Sequence, residues 1–110
     1  MDIPDLPHGT LDLLILKTLE TIGPLHGYAL ARRIEQLAGA TSRISQGSIY
    51  PALIRLEQRR LVAATWGLSE TSRRVKVYAL TKAGSKQLAA DVKSWEASTA
   101  LVARLLETKS

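Results

Sequence analysis

The chain has 110 residues, 45% of them hydrophobic and 23% charged, which is the size and balance of a single domain that is not embedded in a membrane. It contains no cysteine, so disulfides, thiolate chemistry and cysteine-ligated zinc are excluded. No apolar run reaches the roughly 20 residues of a membrane span, and the amino terminus lacks the basic-then-apolar pattern of a secretory signal. We therefore expect a cytoplasmic protein without a membrane segment.

Positive charge is concentrated in the middle of the chain. Positions 43–86 carry nine Lys or Arg residues against two Glu, a net charge of +7. Positions 1–42 carry three basic and five acidic residues, a net charge of −2, and positions 87–110 balance at three of each. A basic block between acidic and neutral ends is typical of a site for a polyanion, the alternative being a merely solvated face.

The first part of the chain predicts two core helices. Leu and Ile recur at helical spacing over positions 11–22, after Thr10 as an N-cap, and a second apolar stripe runs over positions 28–37. The two histidines, His8 and His26, are too few for a metal site without cysteine, and we interpret both as loop or cap residues.

A third helix is predicted from near Ser45, which can serve as its N-cap, with Ile49, Leu53 and Leu56 as a narrow buried stripe. Pro51 implies that this helix starts nearer Ser48 or bends at the proline. The free side carries Gln46, Ser48, Pro51, Arg55, Gln58 and Arg59. Arginine pairs with guanine and glutamine with adenine in the major groove, so this side suits the reading of base edges.

A β-hairpin follows, with strands over positions 61–68 and 73–80. In the second strand the cations Arg74 and Lys76 alternate with Val75 and Val77, and we expect the valines to pack inward. With Arg73, these cations are predicted to contact DNA phosphates.

The last helix is predicted from its cap Thr81 to about Leu106. Its apolar positions repeat at intervals of three and four residues, as in helix-to-helix packing; they are Leu88, Val92, Trp95, Thr99, Val102 and Leu106. The whole pattern predicts a mainly α fold with a two-stranded wing: a winged helix-turn-helix over 1–81 and a long C-terminal helix over 82–110.

Four stretches carry a family resemblance. They are positions 9–16 with 23–28, positions 73–84, and the third helix Ser45-Gln46-Gly47-Ser48-Ile49-Tyr50-Pro51-Ala52-Leu53. With these motifs the chain resembles the PadR-type transcriptional regulators, although the family commonly has an aromatic at Val77 and a polar residue at Ala79. The resemblance implies a cytoplasmic homodimeric repressor, one of the small members that dimerise through a single C-terminal helix.

The predicted function is sequence-specific binding of double-stranded DNA at an inverted-repeat operator. The predicted DNA-binding residues are Ser45, Gln46, Ser48, Tyr50, Arg55, Arg59, Arg73, Arg74 and Lys76. For Tyr50 two interpretations stand side by side, a phosphate contact through its hydroxyl and a core or turn position.

Trp95 suggests a ligand site. If the repeating apolar positions of the last helix lie at a dimer axis, the Trp95 side chains of the two copies face each other. A planar aromatic effector can then stack between the two indoles, beside Val92, Ser98 and Thr99. The resemblance supports such a site because some small family members bind flat ligands at the dimer interface. The alternative is that Trp95 is an apolar side chain packed in the dimer core.

Two other classes of function make different demands on the sequence. An enzyme would need a nucleophile with a base, paired carboxylates or a phosphate-binding glycine loop, and the sequence has none of these, nor a cofactor motif. An RNA-binding module would also use the basic block, but such modules stack single-stranded bases on aromatic side chains, and this chain has no Phe.

Overall fold

The computed structural model describes residues 9–38 and 46–108; the predictions for His8 and Ser45 fall outside the described residues. In chain order the elements are α1 (Thr10–Ile22), β1 (Leu25–His26), α2 (Gly27–Ala38), α3 (Gln46–Gln58), β2 (Val62–Leu68), β3 (Arg74–Leu80) and α4 (Lys82–Glu107). The predicted mainly α winged-helix fold with a long C-terminal helix is confirmed.

The sheet has three antiparallel strands in the order β1-β3-β2. Strands β2 and β3 form the predicted hairpin, and the short β1, which the sequence did not predict, pairs Leu25 with Tyr78. His26 then caps α2, because its Nδ1 accepts a hydrogen bond from the backbone N–H of Ala29 at 3.3 Å. The cap role that we predicted for this histidine is thereby confirmed.

The core lies where the helices meet the base of the hairpin. Its largest fully buried side chains are Ile15, Leu16, Leu30, Ile49, Leu53, Leu56, Val62 and Leu88. The predicted apolar stripe of α3 is therefore buried in full, and each such side chain stabilises the fold by about 1.5–3 kcal/mol relative to exposure. No helix within the described residues is long and apolar enough to cross a membrane.

The start of α1 differs from the prediction, whereas the start of α3 agrees with a helix that begins near Ser45. The N-cap of α1 is Gly9, in a left-handed conformation (φ 85°) and without a side-chain capping bond, so Thr10 is the first helical residue instead of the cap. Helix α3 begins at Gln46, ahead of Ser48, and continues through Pro51. Pro51 removes one backbone N–H donor from the helix, and the burial of the apolar stripe stabilises the remaining turns.

Helix α3 ends in a Schellman motif. The N–H of Arg60 donates to the carbonyl of Glu57 and the N–H of Leu61 donates to that of Leu56, both at 2.9 Å. Arg60 has a φ of 61°, the left-handed conformation that this motif needs and that usually favours glycine. The motif turns the chain directly from α3 into the hairpin.

Helix α4 starts next to the residues that follow the end of α3. Thr81 is its N-cap, as predicted, and its hydroxyl oxygen accepts a hydrogen bond from the N–H of Gly84 at 2.9 Å. That hydroxyl also lies within hydrogen-bonding distance of the carbonyl oxygens of Arg60 (2.8 Å) and Leu61 (3.0 Å). One threonine thus ties α4 to the end of α3.

Candidate nucleic-acid interface

One side of α3 faces away from the core. Helical spacing places Pro51, Ile54 and Gln58 at the centre of this side, opposite the buried stripe. Ile54 is 53% exposed and was not among the predicted contact residues. The exposed α3 side chains are Ser48, Tyr50, Pro51, Ile54, Arg55 and Gln58, and the exposed Arg59 directly follows the helix. Gln46 occupies the first position of the helix.

Arg55 forms an ion pair that the sequence did not predict. Its Nη2 lies 2.9 Å from Oδ1 of Asp12, which is on α1 and 43 positions earlier in the chain. The arginine side chain is about half exposed, so the pair contributes no more than about 1 kcal/mol to stability. The base-reading role of Arg55 stays a prediction. In that role a DNA base would have to compete with Asp12 for the N–H donors of the guanidinium.

Tyr50 packs over the start of α2. A Cβ atom on Gly27 would lie only 2.5 Å from Cε1 of the Tyr50 ring, so the glycine leaves the space that this ring occupies. The ring is nevertheless exposed at its outer edge. Both interpretations of Tyr50, packing residue and phosphate contact, fit this position.

The inner face of the wing differs from the prediction. On β3 the most deeply buried side chain is Tyr78, which shares a face with Arg74 and Lys76, whereas Val75 and Val77 on the other face are half-buried. The expectation that the valines pack inward is wrong. The hairpin extends beyond the core, so one face of β3 is apolar near its base and cationic farther out.

Burial also changes the acidity of Tyr78. Burial raises the pKa of its hydroxyl above the ordinary 10.0, and the nearby Glu57 and Tyr50 raise this pKa further. The neutral phenol thus lies near two side chains of α3, Glu57 and Tyr50.

The outer part of that face holds what we call the wing cluster, Trp66, Arg74 and Lys76. The Cζ of Arg74 lies 4.4 Å from the centroid of the Trp66 ring, and Lys76 is the direct cross-strand partner of Trp66. The Nζ of Lys76 lies 3.8 Å from Oε1 of Glu57 on α3. These contacts place two predicted phosphate-binding cations on the α3 side of the hairpin.

Arg73, the third predicted wing cation, is exposed at the hairpin turn. Its backbone N–H donates to the hydroxyl of Ser69 at 3.1 Å, and its carbonyl accepts from the N–H of Ser69 at 2.8 Å. Ser72 adopts a φ of 61°, as in a type I turn followed by a bulge. The turn thus holds the backbone of Arg73 and leaves its side chain in solvent.

The outer half of α4 extends away from the core with an unpartnered apolar side. Its exposed large side chains are Trp95, Leu101, Val102, Leu105 and Leu106. Trp95 also lines a groove of about 350 Å³ between α1 and α4, together with Ser94 and Ser98.

The other predicted effector residues, Val92 and Thr99, do not line this groove. Val92 packs against the core, and the hydroxyl of Thr99 donates to the carbonyl of Trp95 at 2.8 Å. Within residues 9–38 and 46–108, no group of three or more His, Asp or Glu side chains is arranged to hold a metal ion.

Solved structures of regulators resemble this fold over most of the chain. A PadR family transcriptional regulator from Eggerthella lenta is 31% identical with a TM-score of 0.80, covering 92% of this chain and 85% of that one. A PadR-like transcriptional regulator from Bacillus cereus is 29% identical with a TM-score of 0.78, covering 92% and 95%.

Two sequence relatives are similar without a described activity. A 37.1 kDa protein of transposon TN4556 from Streptomyces fradiae is 44% identical over 66 residues, which are 60% of this chain and only 17% of that protein. The chain thus spans less than a fifth of the length of this relative. A protein of Lysinibacillus sphaericus is 26% identical over 91 residues, 83% of each chain.

The family match covers most of α1, all of α2 and α3, the wing and the first part of α4. Residues 15–90 match the transcriptional regulator PadR-like family. The matched residues include α3 and the whole wing cluster. The chain belongs to the PadR-like family of transcriptional regulators.

Proposed function

We propose that the chain is a sequence-specific regulator of transcription that binds double-stranded DNA. The observation that carries this proposal is the joining of two surfaces. The outward side of α3 and the wing cluster lie next to each other, and the Lys76–Glu57 contact connects them. A helix that reads base edges and a hairpin that anchors phosphates are the two parts of a winged-helix interface.

The two surfaces have different roles in this proposal. Gln46 and Ser48 lie at the start of α3, on the side proposed to read base edges, and Ser45 precedes them in the chain. The hydroxyl of Tyr50 is proposed to reach a phosphate. Arg55 and Arg59 reach base edges farther along. On the wing, Arg73, Arg74 and Lys76 neutralise phosphates without reading sequence.

Salt dependence tests the wing. Replacing Arg73, Arg74 or Lys76 by alanine lowers the slope of log affinity against log salt by about one, for any duplex. The matched control is Lys17→Ala, which removes an exposed cation of α1 that pairs with Glu20. An unchanged slope in all three wing variants would refute the phosphate role.

Sequence preference tests α3. Arg55→Ala should reduce the ratio of operator affinity to random-duplex affinity, by about 1–3 kcal/mol if the arginine pairs with a guanine. A ratio equal to that of the unmodified chain would remove Arg55 from base reading.

Competition between duplex DNA and duplex or single-stranded RNA of matched length tests the class of partner, because preference for RNA would favour an RNA-binding module.

We further propose that the regulator acts as a homodimeric repressor through α4. The support is the exposed apolar side of the outer half of this helix, which one chain leaves uncovered. A two-fold dimer places its recognition helices about 34–36 Å apart, so the operator is an inverted repeat. Sedimentation of Leu105→Asp should show monomers that lose operator binding. A protected site without two-fold symmetry would contradict the dimer.

A planar aromatic effector at Trp95 is the remaining part of the proposal. The exposed indole and the adjoining groove support it, and Val92 and Thr99 serve as neighbours within α4. Planar compounds should quench tryptophan emission in Trp66→Phe but not in Trp95→Phe, and should weaken operator binding by the factor by which DNA weakens theirs. If no such compound quenches emission and Trp95→Ala dissociates the dimer, Trp95 is a packing residue only.

A further inference from the structure

Trp66 is a large aromatic side chain that the fold leaves 60% exposed. It lies on β2, directly opposite Lys76, while Leu68 lies directly opposite Arg74. Arg74 is therefore the diagonal neighbour of Trp66, and yet its guanidinium lies over the indole, 4.4 Å from the ring centroid. This is well within the roughly 6 Å range of a cation–π contact.

The indole offers Arg74 no conventional hydrogen-bond acceptor, so the contact does not satisfy the N–H donors of the arginine as a carboxylate would. A guanidinium stacks through its flat face, whereas its five N–H donors point outward in its plane. Among the described residues, no carboxylate lies within salt-bridge distance of Arg74. The arginine is thus fixed in place by an uncharged partner that does not compete for its donors.

Lys76, in contrast, is held from the other side. Its ammonium group approaches Glu57 of α3 at 3.8 Å, so the carboxylate partly satisfies its charge. The two cations of the wing cluster are positioned by different means, and only Arg74 depends on an aromatic platform.

We propose that Trp66 is a positioning residue that holds Arg74 ready for a DNA phosphate. This inference rests on the proposed DNA-binding function. Arginine has many rotamers, and ordering it before binding lowers the entropic cost of the phosphate contact. The indole itself need not touch DNA.

A double-mutant cycle on duplex affinity tests this role. Binding of a fluorescein-labelled duplex to the full chain is measured by anisotropy for the unmodified chain, Trp66→Ala, Arg74→Ala and the double variant. Trp66→Ala should weaken binding about two- to fivefold, as expected for loss of an exposed cation–π contact. In the Arg74→Ala background the same change should have no further effect.

Two substitutions separate positioning from support of the hairpin. Trp66→Phe retains an aromatic face and should bind nearly as well as the unmodified chain, whereas Trp66→Leu retains apolar bulk without that face and should bind like Trp66→Ala. Leu68→Ala is the matched control, since it removes an exposed apolar side chain directly opposite Arg74. It should leave duplex affinity unchanged.

The outcomes are distinct. Equal losses on removing Trp66 with and without Arg74 would overturn the inference, because the indole would then act on DNA or on the fold independently. Trp66→Leu binding as well as Trp66→Phe would overturn it too. If the unmodified chain bound no duplex, or if Arg74→Ala had no effect along with the other wing variants, the proposed function itself would fail.

Discussion

Replacing Gly84 by alanine tests the close contact between the start of α4 and the end of α3. A Cβ atom at this position would collide with the carbonyl oxygen of Leu61 and would lie 2.7 Å from Cδ1 of Leu80. The Leu61 carbonyl accepts a hydrogen bond from the backbone N–H of Thr81 at 3.1 Å. Because the main obstacle is backbone, it cannot move aside without disturbing the capping of α4.

The expected magnitude is a balance of two effects. Alanine is favoured over glycine within a helix by about 1 kcal/mol, whereas forcing a methyl group into a packed site costs about 1–3 kcal/mol. The cost at Gly84 should lie at or above the upper end of that range, since a backbone carbonyl is in the way. We therefore expect a net loss of about 2 kcal/mol, or roughly 8–16 °C in the unfolding temperature of a domain this small.

Thermal and urea unfolding, followed by circular dichroism at fixed protein concentration, measure this loss. Ser85→Ala is the matched control, because Ser85 is the next residue of α4 and is exposed. The control should be neutral or slightly stabilising. If Gly84→Ala unfolded at the temperature of the unmodified chain or above it, the close contact would be refuted.

The remaining predictions concern Arg60, Tyr78 and Asp12. Arg60→Gly should raise the free energy of unfolding by about 0.5–1 kcal/mol, because glycine adopts the left-handed conformation at the end of α3 without strain; urea titration that shows a loss would contradict this. The raised pKa of Tyr78 means that the unfolded chain releases this proton first, so stability is retained below pH 10 and falls as the pH rises above it. Tyr78→Phe should show a shallower loss in that range, and identical pH profiles would count against it. Asp12→Asn should leave Arg55 free of its ion pair and change the free energy of unfolding by no more than about 1 kcal/mol, and a larger loss in a thermal melt would mean that the pair is structural.

Local periodicity was enough to predict most of the elements. The spacing of Ile49, Leu53 and Leu56 identified the buried side of α3, and Thr81 marked the start of α4. These features depend on residues within one or two turns of each other, so the sequence pattern carries them directly. The resemblance to the PadR-type regulators came from the same stretches, and the family match confirmed it.

Features that join distant parts of the chain were not predicted. The two-residue strand β1 is too short to show an alternating pattern, and it exists only because β3 offers it an edge. The Arg55–Asp12 pair bridges 43 positions, and nothing local marks either residue as the partner of the other. Among the candidate site residues, the sequence therefore identified exposed cations but not what holds them.

The sequence by itself determined which segments are helix and strand, where the basic residues are concentrated and which side of α3 is free. The tertiary structure decided which face of the hairpin meets α3, and so placed Tyr78 inside and Trp66 beneath Arg74. Alternation along a strand defines two faces but does not say which is buried. That choice depends on packing against α3 and on the pairing register of β2 with β3, and both are set by contacts between elements.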